Sequence, residues 1–321
     1  MAFMLARTAD NLYWLARYME RADFLARIVT VTRRLAALPS PNEDSRAEWE
    51  SALSSAGALE RFVEDHAAIT ADSAIEYLVY DPQNPASIVN CIENGRSNAR
   101  AVRTALTAET WDSINSGWIE LRRLLTARAG HRHDPDNLAQ VLELAMKMSL
   151  DVDGSCYRTM LRNDAYWFGR LGLYVERADN TARILDVKYN ILLPDTEVVG
   201  GSLDYFQWTA ILRAVSALTA YNWVYHDAVK PWLIADLLIL RPEMPRSLIS
   251  CCDNIARFLD AVAAAYGHEG PSQRHARDVL ARMRRATTDQ ICGGGLHEYI
   301  TAFIEDNYKL GQEIAKQYLV N

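Results

Sequence analysis

This 321-residue sequence contains one phrase twice, as Leu15-Ala-Arg-Tyr-Met-Glu-Arg-Ala-Asp-Phe-Leu-Ala-Arg-Ile28 and as Leu171-Gly-Leu-Tyr-Val-Glu-Arg-Ala-Asp-Asn-Thr-Ala-Arg-Ile184. Nine of the fourteen positions are identical, and four of those nine carry a charge. A helix core tolerates many apolar side chains of suitable volume. Two copies that share charged residues therefore indicate that these ionic groups are held in specific arrangements.

The similarity between the two parts of the chain extends beyond this phrase. Matched positions are 156 residues apart within the phrase, 159 apart where Trp49 matches Trp208, and 160 apart further along. This spacing is far longer than the period of a solenoid repeat. The spacing between matched positions grows only slowly along the chain. This predicts two tandem helical halves, residues 1–150 and 151–321, packed into one bundle-like domain.

Helical periodicity dominates the chain. From Arg7 to about Ala37 there is no Pro or Gly, and apolar residues recur at the three- and four-residue spacing of an amphipathic helix. A second long helix is predicted from about Asn163 to Leu193, and a last one from Leu296 to Val320. No alternating strand pattern of any length occurs, so the sequence predicts an all-α fold.

Turn residues predict where the shorter helices end. A helical pattern runs from Ala47 to Tyr80, with a break near Thr70, and another runs from Ala86 to about Leu106. The stretch from Gly130 to Asn137 is the most polar and turn-rich segment before the second copy. It is the candidate linker between the halves.

Composition excludes several classes of function. The formal net charge is −7, whereas a nucleic-acid-binding surface needs a strongly basic face. No apolar stretch is long enough to span a bilayer, so we expect no membrane partner and a cytoplasmic location. The odd number of cysteines without metal-type spacing predicts reduced core residues. They are Cys91, Cys156, Cys251, Cys252 and Cys292.

Three stretches resemble the bacterial alpha-E domain family: Met4–Asp23, Ile88–Arg100 and Trp167–Leu185. The resemblance covers nearly the whole chain. It implies an all-helical domain that stands alone or is fused to a circularly permuted ATP-grasp ligase, with transglutaminase-like peptidases often encoded nearby. It also implies a role in a pathway that makes or modifies amide or peptide bonds.

The charged residues of the phrase share one side of each predicted helix. Each Asp faces the Arg four residues later, and the Glu three residues earlier lies on nearly the same side. These positions are Glu20, Asp23 and Arg27 in the first copy and Glu176, Asp179 and Arg183 in the second. One difference is that Leu173 stands where the first copy has Arg17, so a site built on Arg17 need not be two-fold.

Three interpretations of this pattern remain open. The charges form interhelical ion pairs that fix the register of the halves, or they line a polar cleft in which arginines bind carboxylates or phosphates and the acids bind amines or a divalent cation. The third is a dimetal site, although such bundle sites combine Glu with Glu-x-x-His and here the third residue on is Asp. No resident metal or cofactor is predicted apart from that divalent cation.

The candidate site residues follow from the cleft interpretation. A further charged cluster on the predicted helix from Ala86 either faces the same cleft or forms surface pairs. The acid or base candidates are Glu20, Asp23, Glu176 and Asp179. The substrate-binding candidates are Arg17, Arg21, Arg27, Glu93, Asn94, Arg96, Arg170, Arg177 and Arg183.

The functional expectation combines the resemblance with the duplicated charges. It is an accessory or co-catalytic protein that works with an ATP-grasp-type amide or peptide ligase and binds the ligase, an amino-acid or peptide substrate, or both. One alternative is a stand-alone enzyme that acts on an amide or aminoacyl substrate with carboxylate acid/base residues. Another is a structural dimerisation module, and hence a homo-oligomer.

Overall fold

The computed structural model describes residues 4–37, 45–128, 134–190 and 202–320. Within these residues every regular element is helical, and no strand occurs. The predicted all-α class is therefore confirmed. Two short π-helical turns, Glu76–Tyr80 and Asp236–Leu240, and one 3-10 turn, Arg103–Ala105, accompany the α-helices.

The described residues contain fifteen α-helices. In chain order they are α1 (Ala6–Ala36), α2 (Arg46–Ser55), α3 (Leu59–Asp65), α4 (Ala71–Ile75), α5 (Ile88–Ala101), α6 (Ala108–Arg128), α7 (Pro135–Thr159), α8 (Asp164–Asn190), α9 (Ser202–Ala214), α10 (Leu218–Tyr225), α11 (Pro231–Ala235), α12 (Leu248–Tyr266), α13 (Pro271–Arg285), α14 (Thr288–Gly293) and α15 (Leu296–Tyr318).

The two helices that carry the repeated phrase, α1 and α8, form the most extensive helix contact of the bundle. At their closest approach Gly172 faces Tyr13, and a Cβ atom on Gly172 would lie 2.1 Å from the Tyr13 carbonyl oxygen. Only glycine allows the two backbones to come this close. On their other sides α1 packs against α5 and α7, and α8 packs against α12 and α15.

The structure confirms the long helices and corrects the shorter ones. Predicted bounds for α1 agree within one residue, and α8 begins one residue later than predicted, while residues 191–193 lie outside the described part. In the helical pattern predicted over 47–80, the break near Thr70 is confirmed, because Thr70 caps α4, but the helix predicted before that break is wrong in its length. It already ends at Ser55, because Gly57 adopts a left-handed backbone with φ +64°. The helix predicted from Ala86 to Leu106 ends earlier, at Ala101.

The division of the chain at residue 150 stays a prediction, as does the tandem repeat. Residue 150 lies inside α7, which begins at Pro135 with the Asp134 side chain capping its first turn. Of the predicted linker, residues 130–133 lie outside the described part. Matched elements do have matched forms: each π-helical turn precedes a helix capped by a serine side chain, Ser87 for α5 and Ser247 for α12.

All five cysteines are free thiols. Cys91, Cys251 and Cys252 are buried as predicted, and burial raises the pKa of the Cys91 and Cys251 thiols to about 12. Cys292 is exposed on α14, so the core prediction is wrong for that residue. Among the described helices, none combines the length and the apolar character that crossing a membrane requires.

Candidate functional site

The crossing of α1 and α8 pairs the glutamate of each helix with an arginine of the other. Glu20 accepts hydrogen bonds from Arg177, with Nε to Oε1 at 3.0 Å and Nη2 to Oε2 at 2.8 Å. Glu176 accepts the same two bonds from Arg21, at 2.5 and 3.0 Å. Such two-point contacts match the planar guanidinium to the carboxylate. Interhelical ion pairs are therefore present, and each joins the glutamate of one helix to an arginine of the other.

Both glutamates are buried and ionised. Burial raises the pKa of Glu20, but the positive charges of Arg177 and Arg246 outweigh it, and the pKa falls to about 2. Burial likewise raises the pKa of Glu176, and Arg21 and Arg17 lower it to about 2. Neither carboxyl holds a proton at neutral pH. A general acid or base works best with a pKa near the operating pH, so these two groups are poorly suited to that role.

We call the charged residues around Glu20 the first cluster. Its centre is Arg246, which precedes α12 and donates from Nη1 to Glu20 Oε1 at 2.6 Å and from Nη2 to Asp23 Oδ2 at 2.7 Å. Arg27 donates from Nε to Asp23 at 2.9 Å and from Nη1 to the Ser216 hydroxyl at 2.7 Å. The Asp23 side chain is only 2% exposed. The first cluster consists of Glu20, Asp23, Arg27, Arg177 and Arg246.

The second cluster surrounds Glu176 and is more open. Arg17 donates from Nε to Glu176 Oε2 at 2.7 Å, and Arg183 donates from Nε to Asp179 Oδ2 at 2.6 Å. The Asp179 side chain is 22% exposed, and within the described part of the chain its Oδ1 accepts no hydrogen bond. The second cluster consists of Glu176, Asp179, Arg17, Arg21 and Arg183.

Two differences between the matched sequence segments account for the more open second cluster. Ala86 stands at the position that matches Arg246, and Gly57 stands at the position that matches Ser216. The methyl group of Ala86 does not reach the carboxylates, and Gly57 offers no hydroxyl to Arg183. The space left beside Ala86 is a cavity of about 240 Å³. We call it the Asp179 cavity, and the polar residues that line it are Arg21, Asn84, Glu176, Asp179, Asn180 and Arg183.

Asn180 is a buried wall residue whose hydrogen bonds are not satisfied. It is 5% exposed, and its amide nitrogen has no hydrogen-bond partner among the described residues. Asn84, on the opposite wall, differs: its amide nitrogen donates to the Tyr77 carbonyl, and its oxygen accepts from the Ala86 amide. An unpaired buried amide costs about 1–3 kcal/mol and calls for a specific explanation.

The remaining predicted residues lie elsewhere. Glu93 pairs with Arg122 of α6 at 3.3 Å on the surface, and Asn94 is exposed. Arg96 lies 3.8 Å above the Trp118 ring. Of the two alternatives for this group, the structure has surface pairing and not the central cleft, because these side chains face α6 or solvent instead of α8.

Arg170 also lies outside both clusters. It forms an ion pair with Asp153 of α7 and donates to the Tyr174 hydroxyl at 3.1 Å. Arg170 and Asp153 border a separate, small apolar cavity of about 40 Å³. Burial is the largest effect and lowers the pKa of the Arg170 guanidinium, but Asp153, Tyr174 and Tyr166 together outweigh it, so the pKa is raised overall.

The described residues contain no group of three or more His, Cys, Asp and Glu side chains placed to hold a metal ion. Glu20 and Glu176, which a dimetal site would need, are each hydrogen-bonded to two arginines instead. Within this part of the chain the dimetal interpretation therefore lacks a ligand set.

Sequence reasoning missed four residues that matter here: Arg246, Ser216, Ala86 and Asn180. The signal for Arg246 was present, because Pro245-Arg-Ser247 aligns with Pro85-Ala-Ser87. A charged residue that appears in only one of two otherwise similar copies marks a place where the copies differ in chemistry.

The fold and the two clusters define an all-α protein whose two longest described helices exchange Glu-Arg ion pairs. The chain belongs to the Alpha-E family, described as a predicted alpha-helical domain with a conserved ER motif, and the family model matches residues 4–319. Glu20-Arg21 and Glu176-Arg177 are dipeptides of that kind, and both lie in the clusters.

Two similar proteins come from mycobacteria. An uncharacterized protein of Mycobacterium bovis and one of Mycobacterium tuberculosis are each 22% identical over 310 residues, which cover 89% of this chain and 33% of each relative. The chain thus spans about a third of the length of the curated relatives it matches. No solved structure matches the chain.

Proposed function

We propose that this protein is an accessory partner of an ATP-grasp-type amide or peptide ligase and binds an amino-acid or peptide substrate in the Asp179 cavity. The observation that carries the binding role is the difference between the clusters. Arg246 closes the first cluster, whereas Ala86 leaves a cavity beside Asp179 in the second. An ion-pair network that served register alone would have no need of this space.

The state of the glutamates favours binding over catalysis. With pKa values of about 2, Glu20 and Glu176 are ionised, and each is neutralised by two guanidinium groups. Their role is to place the arginines, and a placed arginine recognises carboxylates with directional hydrogen bonds. A stand-alone acid/base enzyme would require a carboxyl whose proton is exchanged at neutral pH.

The ligase partner is supported by chemistry that both proteins would share. An amide ligase joins a carboxylate to an amine, and the Asp179 cavity presents guanidinium donors and a carboxylate acceptor next to each other. Membership of the Alpha-E family, together with the association with ATP-grasp proteins that the resemblance implies, supports the same pairing.

The test is co-purification with a cognate ATP-grasp protein, followed by its rate of ADP formation with and without this chain. We expect co-purification and a faster rate with the wild-type chain. Asp179→Asn should retain co-purification and lose the rate increase. Asp253→Asn, which removes an exposed partner of Arg284 and does not line the cavity, should behave as wild type.

Two outcomes would contradict the proposal. One is a chain that neither co-purifies with the ligase nor changes its rate. The other is turnover of an amide or aminoacyl substrate by the purified chain alone, abolished by Glu20→Gln in a variant that remains folded, which would identify a stand-alone enzyme.

A further inference from the structure

We infer that the Asp179 cavity binds a free α-amino acid as a zwitterion, with its ammonium group between Asp179 and Glu176 and its carboxylate on Arg183 and Arg21. This assignment rests on the proposed function and narrows its substrate class. It follows from a comparison with the first cluster, in which the Arg246 side chain occupies the position that matches the Asp179 cavity.

Arg246 marks the position of the ammonium group. Its guanidinium bridges Glu20 Oε1 and Asp23 Oδ2 at 2.6 and 2.7 Å. The matched oxygens of the second cluster belong to Glu176 and Asp179, both of which line the cavity. Among the described residues, Glu20 Oε1 accepts two hydrogen bonds, whereas Glu176 Oε1 accepts one, from Arg21, because the bond from Arg17 goes to Oε2. The acceptor capacity that Arg246 uses in the first cluster is therefore free in the second.

Charge counting shows that the ligand also carries a negative group. Each cluster contains two carboxylates and three guanidiniums, because Arg17 supplies the third positive charge of the second cluster. A purely cationic ligand would add an uncompensated charge to a partly buried site, which is costly. A zwitterion leaves the balance unchanged.

Arg183 and Arg21 have free donors for that negative group. Among the described residues, Arg183 donates only through Nε, to Asp179, and its side chain is 34% exposed. The matched Arg27 is 15% exposed and is also bonded to Ser216. Arg21 uses Nε and Nη2 on Glu176 and makes no hydrogen bond through Nη1 within the described residues. Guanidinium groups of this kind hold carboxylates in two-point contacts.

Asn180 is the independent sign that this space is a binding site. Its buried amide lines the cavity without a partner among the described residues. The terminal torsion of asparagine is broad, so the amide can turn either its donor or its acceptor to a ligand. A zwitterion offers both complements, and its binding would remove the cost of the unpaired amide.

The volume sets the size of the ligand. A cavity of about 240 Å³ holds roughly eight water molecules at about 30 Å³ each. It is smaller than the pockets of about 300–1,000 Å³ that take drug-sized ligands. A free amino acid matches this size, and a longer peptide would extend into solvent past Asp179.

Isothermal titration of the isolated chain with each proteinogenic L-amino acid tests the assignment. N-acetyl and carboxamide derivatives are the matched probes, since each removes one charge. We expect one molecule bound per chain for at least one amino acid. Both of its derivatives should bind about tenfold or more weakly, because each loses a hydrogen bond to a charged group.

Variants at residue 86 test the location. Ala86→Arg places a guanidinium in the cavity as Arg246 does in the first cluster, and it should abolish binding. Asp253→Asn, at an exposed partner of Arg284 that does not line the cavity, is the control and should bind as wild type. Should Ala86→Arg fail to fold, Asp179→Asn gives the same test, with loss of binding expected.

The inference is overturned if no amino acid at millimolar concentration gives heat or shifts the melting temperature, if the derivatives bind as tightly as their parent, or if a folded Ala86→Arg or Asp179→Asn variant binds as wild type. The ligase plays no part in this experiment. Amino-acid binding without any effect on a ligase would overturn the proposed partnership alone, and stimulation of a ligase without amino-acid binding would overturn this inference alone.

Discussion

Glu20 of α1 and Arg177 of α8 form a two-point ion pair, and Glu176 and Arg21 form its counterpart with the helices exchanged. Each glutamate is buried, so its charge is stable only while the arginines of the other helix remain in place. The reciprocal pairs therefore tie the register of α1 to that of α8. That register in turn positions Asp179 at its cavity.

Removal of the Glu20 charge should destabilise the fold. Glu20→Gln leaves Arg177 without the Glu20 carboxylate and leaves Arg246 with Asp23 alone. We expect this to lower the free energy of unfolding by about 3–5 kcal/mol. Urea denaturation followed by circular dichroism measures this loss. Glu120→Gln is the control, since Glu120 pairs with Arg123 on the surface, and it should unfold as wild type. Equal stability of the two variants would show that the buried pair contributes nothing.

Stability should fall in acid because of the same glutamates. Their pKa is about 2 in the folded protein against an ordinary value of 4.5. Between these values the unfolded chain binds more protons than the folded one, so stability rises with pH in this window and is complete above it. Each group contributes on the order of 3 kcal/mol.

The pH dependence can be assigned with a variant. Urea denaturation of the wild type between pH 3 and pH 6, compared with Glu176→Gln, should give a shallower slope below about pH 4.5 for the variant. Identical slopes would mean that Glu176 has an ordinary pKa in the folded protein.

Two glycines of α8 should respond in opposite ways to alanine. A Cβ atom on Gly172 would meet the Tyr13 carbonyl oxygen at 2.1 Å, whereas one on Gly169 would meet nothing within 4 Å. Gly172→Ala should force α1 and α8 apart and lower the melting temperature. Gly169→Ala should raise stability by about 0.5–1 kcal/mol, because alanine favours a helix. Thermal unfolding distinguishes them, and a neutral Gly172→Ala would refute the close packing.

Periodicity and local spacing predicted the long helices and the pairing of each Asp with the Arg four residues later, since both depend on neighbours in one helix. The partner of each Glu lies on another helix and depends on the crossing of α1 and α8, which spacing does not determine. The same is true of Arg246, which precedes α12 and is more than 200 residues from Glu20 in the chain.

The break after Ser55 escaped prediction for a related reason. A single glycine is tolerated inside a helix, and nothing local distinguishes Gly57 from such a residue. The left-handed φ of Gly57 can be recognised only once the positions of α2 and α3 are known. The Asp179 cavity is still harder to predict from the sequence. It exists because Ala86, with its short side chain, stands at the position that matches Arg246.

The asymmetry of the clusters has a direct energetic consequence. Asp23 is 2% exposed and held by both Arg27 and Arg246, while Asp179 is 22% exposed and, within the part of the chain that the structure describes, held by Arg183 alone. A closed cluster contributes to stability, and an open one is available to a ligand. The paired measurement is therefore the free energy of unfolding of Asp23→Asn and of Asp179→Asn without ligand. We expect a loss of about 3 kcal/mol or more for Asp23→Asn and of about 1 kcal/mol or less for Asp179→Asn; equal losses would show that both clusters are structural and that the cavity is not a binding site.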